Sequence, residues 1–157
     1  MSETHYVIII GSAVAALLCF MLLLRRGGDP LPERDPKCIW HSTVIRIDKV
    51  YDGDTFFAHV KGHFPIDKKP VGIRVRGVDT PEMKGSRPSV KKKAVKAKQL
   101  VESELRNARK IHLYNISMKD KYGRMLATVF CDRRDLGRML IEKKLAKTYD
   151  GGKKAAW

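Results

Sequence analysis

The sequence predicts an α+β domain on a small closed β-barrel, carried behind one N-terminal transmembrane helix. Three observations predict it. Five short segments alternate apolar and polar residues, a longer one repeats apolar residues every three or four positions, and a charge-free apolar run precedes them all. A length of 157 residues fits one domain with a short appendage.

The apolar run comes first. From Tyr6 to Leu24 no residue is charged, and Val, Ile, Leu and Ala dominate. As a helix the run is about 28 Å long, close to the hydrocarbon thickness of a bilayer. A cleaved signal peptide fits poorly, because no Lys or Arg precedes Tyr6 and no small-x-small cleavage site precedes Arg25. Arg25, Arg26, Arg34 and Lys37 follow the run, which by the positive-inside tendency puts the following domain on the cytoplasmic side. Residues 1–26 therefore read as tail and membrane anchor. Residues 27–37, rich in Gly and Pro, read as a stiff exposed linker, and 38–157 as the folded domain.

Ile39 to Val50 is rich in β-branched residues and reads as the first strand. Asp52-Gly53-Asp54 is a turn. Thr55 to Val60 follows as a strand with Phe56, Ala58 and Val60 on one face, and the Gly- and Pro-containing stretch Lys61 to Pro70 is a loop. Val71, Ile73 and Val75 alternate with Gly72, Arg74 and Arg76, so both arginines project opposite the apolar face. Val90, Ala94, Ala97, Val101, Leu105 and Ala108 form one stripe of a helix from about Ser89 to Arg109. Ile111–Ile116 and Met125–Cys131 are two further strands. Leu136, Met139 and Leu140 mark a second helix, with Asp135 as its cap. Five strands with a helix between the third and fourth suggest an OB-like barrel, whose face commonly carries oligonucleotide sites.

Composition narrows the function classes. The hydrophobic share of 43% excludes global disorder, and three cysteines exclude a disulfide scaffold. Lys and Arg number 32 against 17 Asp and Glu, a net charge of +15. Two bases and two acids fall in residues 1–32, so the whole surplus sits in the remainder. Such self-repulsion points to a polyanionic partner. The lysines from Lys91 to Lys98 wrap around their helix and read equally as a solvated face.

Against that background, clustered acids need a reason. They gather in Val50-Tyr51-Asp52-Gly53-Asp54-Thr55, in Arg74-Val75-Arg76-Gly77-Val78-Asp79-Thr80-Pro81-Glu82, and in Asp120-Lys121-Tyr122-Gly123-Arg124. Alone, the first is a hairpin turn and Asp79 to Glu82 a helix-start signature. Together, converging carboxylates suit a hard divalent cation, guanidinium groups match phosphate oxygens, and a spare Glu serves water. That combination is the chemistry of phosphodiester hydrolysis. His59 and His63 have metal-like spacing, but no cysteine pair joins them.

In order and spacing, these stretches resemble the staphylococcal nuclease (thermonuclease) family from about Val44 to Tyr149. The resemblance implies an OB barrel with about three helices, the last near Leu145-Ala146-Lys147. It implies metal-dependent cleavage of DNA and RNA, with calcium as the usual cation and magnesium as another candidate, leaving 3′-phosphate ends. It further implies Asp54, Asp79 and the Thr80 carbonyl as metal ligands and Glu82 as the residue that orients or deprotonates water. Arg74 and Arg124 become the phosphate-gripping pair, and Lys121 and Tyr122 contacts to the nucleotide's phosphate end. Where many family members have Gly before the Leu-Ala pair, this chain has Lys144. The competing expectation is a non-catalytic OB module that binds nucleic acid, which would have no use for the acidic cluster.

Overall fold

A computed structural model describes residues 28–62, 69–84, 87–117, 120, 122–152, 154 and 156–157. The strands are β1 (Ile39–Val50), β2 (Thr55–Val60), β3 (Val71–Val75), β4 (Val78–Asp79), β5 (Ile111–Ser117), β6 (Met125–Cys131), β7 (Arg134–Asp135) and β8 (Lys147–Thr148). The helices are α1 (Pro88–Asn107) and α2 (Leu136–Glu142). The anchor expected at Tyr6–Leu24 lies outside the described residues. Among those described, no helix is long and apolar enough to cross a membrane.

Five strands close a barrel. The first half of β1 pairs antiparallel with β5, and its second half pairs with β2. Register shifts between Val44 and Arg46 and between Ile47 and Lys49 bend this one strand around the barrel. β3 pairs antiparallel with β2 and parallel with β6, Ile73 lying opposite Met125, and that second pairing shuts the cylinder. Phe56, Ala58, Ile73, Leu113, Met125 and Val129 fill it, each fully buried. The α1 stripe behaves as its spacing predicts: Ala94, Ala97, Val101 and Leu105 are buried, while the lysines around them stay at the surface.

Two helices, not three, stand among the described residues. The segment expected as a last helix turns instead into β8, where Lys147 and Thr148 pair with Asp79 and Val78. The break comes at Lys144, whose φ of 57° is left-handed. Leu145 N and Ala146 N both donate to Leu140 O, closing the end of α2 behind it. Helix α2 starts as expected, with Asp135 accepting from Gly137 N and Arg138 N. Gly137 is the second residue of α2 rather than an interior one. A Cβ there would stand 3.3 Å from Val78 Cγ1, so glycine lets the helix start lie close against β4.

The expected linker is not free along its described length. Asp29 N donates to Arg133 O at 2.7 Å, and Asp29 Oδ2 accepts from Asp135 N at 2.7 Å. Asn115, at φ 48°, holds Asp35 N through Oδ1 and Glu33 O through Nδ2. Residues 29–35 are thus stitched to the barrel by partners far away in sequence.

Candidate active site

Gly53 and Asp54 of the β1–β2 turn are buried, which an ordinary hairpin tip is not. Tyr51 N and Asp52 N both donate to Thr55 O, and Asp54 N donates to Asp52 Oδ1 at 3.1 Å. A Cβ on Gly53 would stand 2.7 Å from Ala97 Cβ and 2.9 Å from Thr80 Cγ2. Only glycine lets this turn press between α1 and the loop after β4. The pressing buries Asp54 to 6% exposure, so its carboxylate faces the protein and not the solvent.

Asp54 gathers the site around itself. Its Oδ2 accepts from Thr80 N at 3.2 Å and from Thr80 Oγ1 at 3.1 Å, with Arg74 Nη1 2.6 Å away. Its Oδ1 accepts from Thr55 Oγ1 at 2.9 Å, and that hydroxyl in turn accepts from Arg124 Nη1 at 3.1 Å. The second expected arginine is thereby linked to the first carboxylate through one threonine. Arg74 reaches here because Ile73 and Val75 take the inward face of β3. Arg76 does not join the site: its Nη2 donates to Asn115 O and Ser117 Oγ and braces the end of β5.

Asp79, 3% exposed at the end of β4, lies beside this group. Its Oδ1 is 3.7 Å from Arg74 Nη2 and 3.0 Å from Lys154 Nζ, yet neither contact has hydrogen-bond alignment. Its Oδ2 accepts from the Trp157 indole at 3.2 Å. Lys154 Nζ also donates to Glu82 Oε1 at 2.8 Å. Residues 79–82 start no helix, since α1 begins at Pro88 after Arg87, so the capping reading of that stretch falls. Asp120 fixes Arg124 by accepting from its Nε at 2.9 Å and its Nη2 at 2.6 Å, and the guanidinium lies 5.0 Å from the Tyr122 ring. Lys121, the other expected nucleotide contact, lies outside the described residues.

These side chains line one cleft of about 530 Å³, walled by Asp52, Asp54, Arg74, Thr80, Glu82, Asp120, Tyr122, Arg124, Tyr149 and Lys154. Charge in it is distributed unevenly. Burial, reinforced by the Asp54 charge, pushes Asp52 up to about 6. Burial works against the charge on Lys154, but Glu82 and Asp79 outweigh it and hold the ammonium above the ordinary lysine value. Burial likewise opposes ionisation of Asp120, and the hydrogen bonds from Arg124 overcome it.

The donor set fits a hard divalent cation. Buried Asp54 lines the cleft, buried Asp79 lies next to it beside Arg74, and Asp79 Oδ1 is an oxygen that no hydrogen bond satisfies. Thr80, the expected carbonyl ligand, enters the site through its amide and hydroxyl. Among the described residues no group of three or more His, Cys, Asp or Glu forms a ready-made metal cage. His59 is engaged by Arg46 at 2.9 Å, and His63 lies outside the described residues.

Sequence reasoning missed Thr55 and Lys154, and it offered Trp157 only as a base-stacking aromatic. Thr55 had a local signal, its place directly after Asp54 at the strand start. Lys154 had none, and nothing local pointed Trp157 to Asp79, because their partners are more than seventy positions away. Asp52, read only as a turn residue, is the fourth carboxylate of the cleft wall.

A closed five-stranded barrel with a buried acid–arginine cleft at one end of β2, β3 and β6 defines a recognisable class. Residues 72–156 match the staphylococcal nuclease homologue family. The chain is 32% identical over 141 residues to the thermonuclease of Staphylococcus intermedius, covering 87% of this chain and 75% of that protein. It is 32% identical over 104 residues to the thermonuclease of Staphylococcus hyicus, covering 66% of this chain and 55% of that protein. An uncharacterised protein of Methanocaldococcus jannaschii is 35% identical over 103 residues, 54% of this chain and 47% of its own length. The chain thus spans about half the length of the last two relatives. It belongs to the staphylococcal nuclease homologue family.

Proposed function

We propose that the protein is a cation-dependent endonuclease that hydrolyses phosphodiester bonds in DNA or RNA, with calcium or another hard divalent ion as cofactor. One observation carries the reading. Asp54, Arg74 and Arg124 line one cleft, Thr55 links Asp54 to Arg124, and Arg74 bridges Asp54 to the neighbouring buried Asp79. A binding module needs the basic surface but gains nothing from buried carboxylates that repel phosphate. Two thermonucleases among the relatives support the same reading.

Asp54, Asp79 and the Thr80 carbonyl are the residues that would hold the cation. Bound there, a divalent ion supplies Lewis-acid charge that lowers the pKa of nearby water and offsets phosphate charge. Glu82 orients the attacking water or takes its proton. Arg74 and Arg124 grip non-bridging phosphate oxygens and stabilise the charge that builds in the transition state, a contact of this kind contributing about 3 kcal/mol. Asp120 keeps Arg124 in place, Tyr122 stands beside that guanidinium, and Tyr122 and Lys121 are the expected contacts to the nucleotide's phosphate end. In-line expulsion of the 5′ oxygen leaves a 3′-phosphate. We further propose that Tyr6–Leu24 tethers this nuclease to a membrane, with the barrel on the cytoplasmic side.

The test is incubation of the full-length protein with supercoiled plasmid and with RNA, in calcium, magnesium or chelator. Cleavage that requires a divalent ion and leaves 3′-phosphates is the expected result. Folded protein that binds both nucleic acids and cleaves neither under any condition would establish the binding-module reading.

A further inference from the structure

Lys154 occupies a place in the site that the cleavage chemistry does not use. Its ammonium touches Asp79 Oδ1, the expected metal ligand, and Glu82 Oε1, the expected partner of water, at 3.0 and 2.8 Å. Asp79 Oδ1 is the carboxylate oxygen left for a cation, since the Trp157 indole ties up Oδ2. Trp157 is itself held from three sides. Arg87 Nη2 donates to its carbonyl at 2.9 Å, and Lys147 and Lys93 lie 4.7 and 5.8 Å from its ring. Lys147 Nζ also donates to Ala156 O. After β8, Tyr149, Gly151 and Lys154 line the cleft, with Tyr149 N on Gly77 O and Tyr149 OH on Gly152 O.

We infer that Lys154 is a built-in competitor for the divalent cation, held on the Asp79–Glu82 carboxylates by the strap that Trp157 anchors. The inference rests on the cation reading of Asp54 and Asp79. A monovalent ammonium and a divalent ion cannot share Asp79 Oδ1, because like charges a few ångströms apart in a partly desolvated cleft repel strongly. Binding the ion therefore requires Lys154 to leave. In the cation-free protein the same lysine offsets the mutual repulsion of the carboxylates. Lys154 is a positioning residue, not a catalytic one, and it sets the cation concentration at which the site fills.

Calcium titration calorimetry on the full-length chain without nucleic acid tests this. Lys154→Gln removes the competitor, and calcium affinity is expected to rise about fivefold, the equivalent of a half-exposed ion pair. Lys154→Arg keeps the charge and should stay close to the unsubstituted protein. Trp157→Phe keeps the ring but loses the indole donor, and should raise affinity by a smaller factor. A merely structural lysine would give weaker calcium binding in Lys154→Gln, and unchanged or weaker binding overturns the inference. A second readout needs no variant: reductive methylation of Lys154, followed by mass spectrometry, should rise when calcium is added. Labelling that stays flat or falls on saturation also overturns it. Divalent-dependent plasmid cleavage alongside either contrary result would leave the nuclease reading standing and remove this one alone.

Discussion

Asp52 and Asp54 stand two residues apart in a buried turn, and their closeness has a thermodynamic consequence in the cation-free protein. Asp52 is pushed up to about 6 from the usual carboxylate value of 3.8 by burial and by the Asp54 charge. A carboxyl whose folded pKa is raised binds its proton more tightly in the folded state. The stability linked to that proton is present below the unfolded pKa and is lost as pH rises through the interval from 3.8 to about 6. At neutral pH the charged Asp52 is therefore a cost. Asp52→Asn keeps the acceptor that Asp54 N uses and removes the charge. In chelator at pH 8 it should raise stability by about 1 kcal/mol, discounted for partial exposure, and by much less at pH 4. Thermal melts at the two pH values check this, and equal shifts at both would show that Asp52 does not titrate in the fold.

At the level of elements, Lys144 carries backbone strain that a different residue would relieve. It follows the end of α2 at φ 57°, where a side chain is disfavoured and glycine is at home. Lys144→Gly should stabilise the protein by about 1 kcal/mol, read as a higher denaturant midpoint with unchanged slope. A lower midpoint would mean that the lysine side chain contributes more than its backbone costs. The same position explains why the expected last helix does not form: Leu145-Ala146-Lys147 follows a left-handed residue and then finds β4 as a strand partner, which no local pattern announces. The five barrel strands and α1 were legible because each buries one face, and burial leaves a period of two or of three and four in the sequence. The acidic clusters were legible because carboxylates are conspicuous in so basic a domain. The strap and the stitched segment 29–35 were not, since Lys154 meets Glu82 and Asp29 meets Asp135 only once the barrel has closed.

Over the whole molecule, a charge of +15 and the apolar run Tyr6–Leu24 make separable predictions. If the run spans a bilayer, full-length protein should remain with membranes through high-salt and alkaline washes. Release by salt alone would reveal a charge-held peripheral association, and a mature protein lacking residues 1–26 would reveal a signal peptide. Nucleic-acid affinity of the same protein should fall steeply with salt, log K declining linearly with log salt as phosphate counterions are displaced. Because this binding draws on the whole basic surface, it should survive substitutions that abolish cleavage.

Division of labour within one cleft is the central claim: carboxylates for the cation, arginines for the phosphate. Calcium affinity and turnover measured together on Asp54→Ala and Arg124→Ala test it most directly. Asp54→Ala should bind calcium more weakly and recover part of its activity as calcium is added. Arg124→Ala should bind calcium almost normally while turnover falls by roughly two or more powers of ten. Near-normal turnover in Arg124→Ala, beside an inactive Asp54→Ala, would contradict the assignment and require another basic residue to face the phosphate.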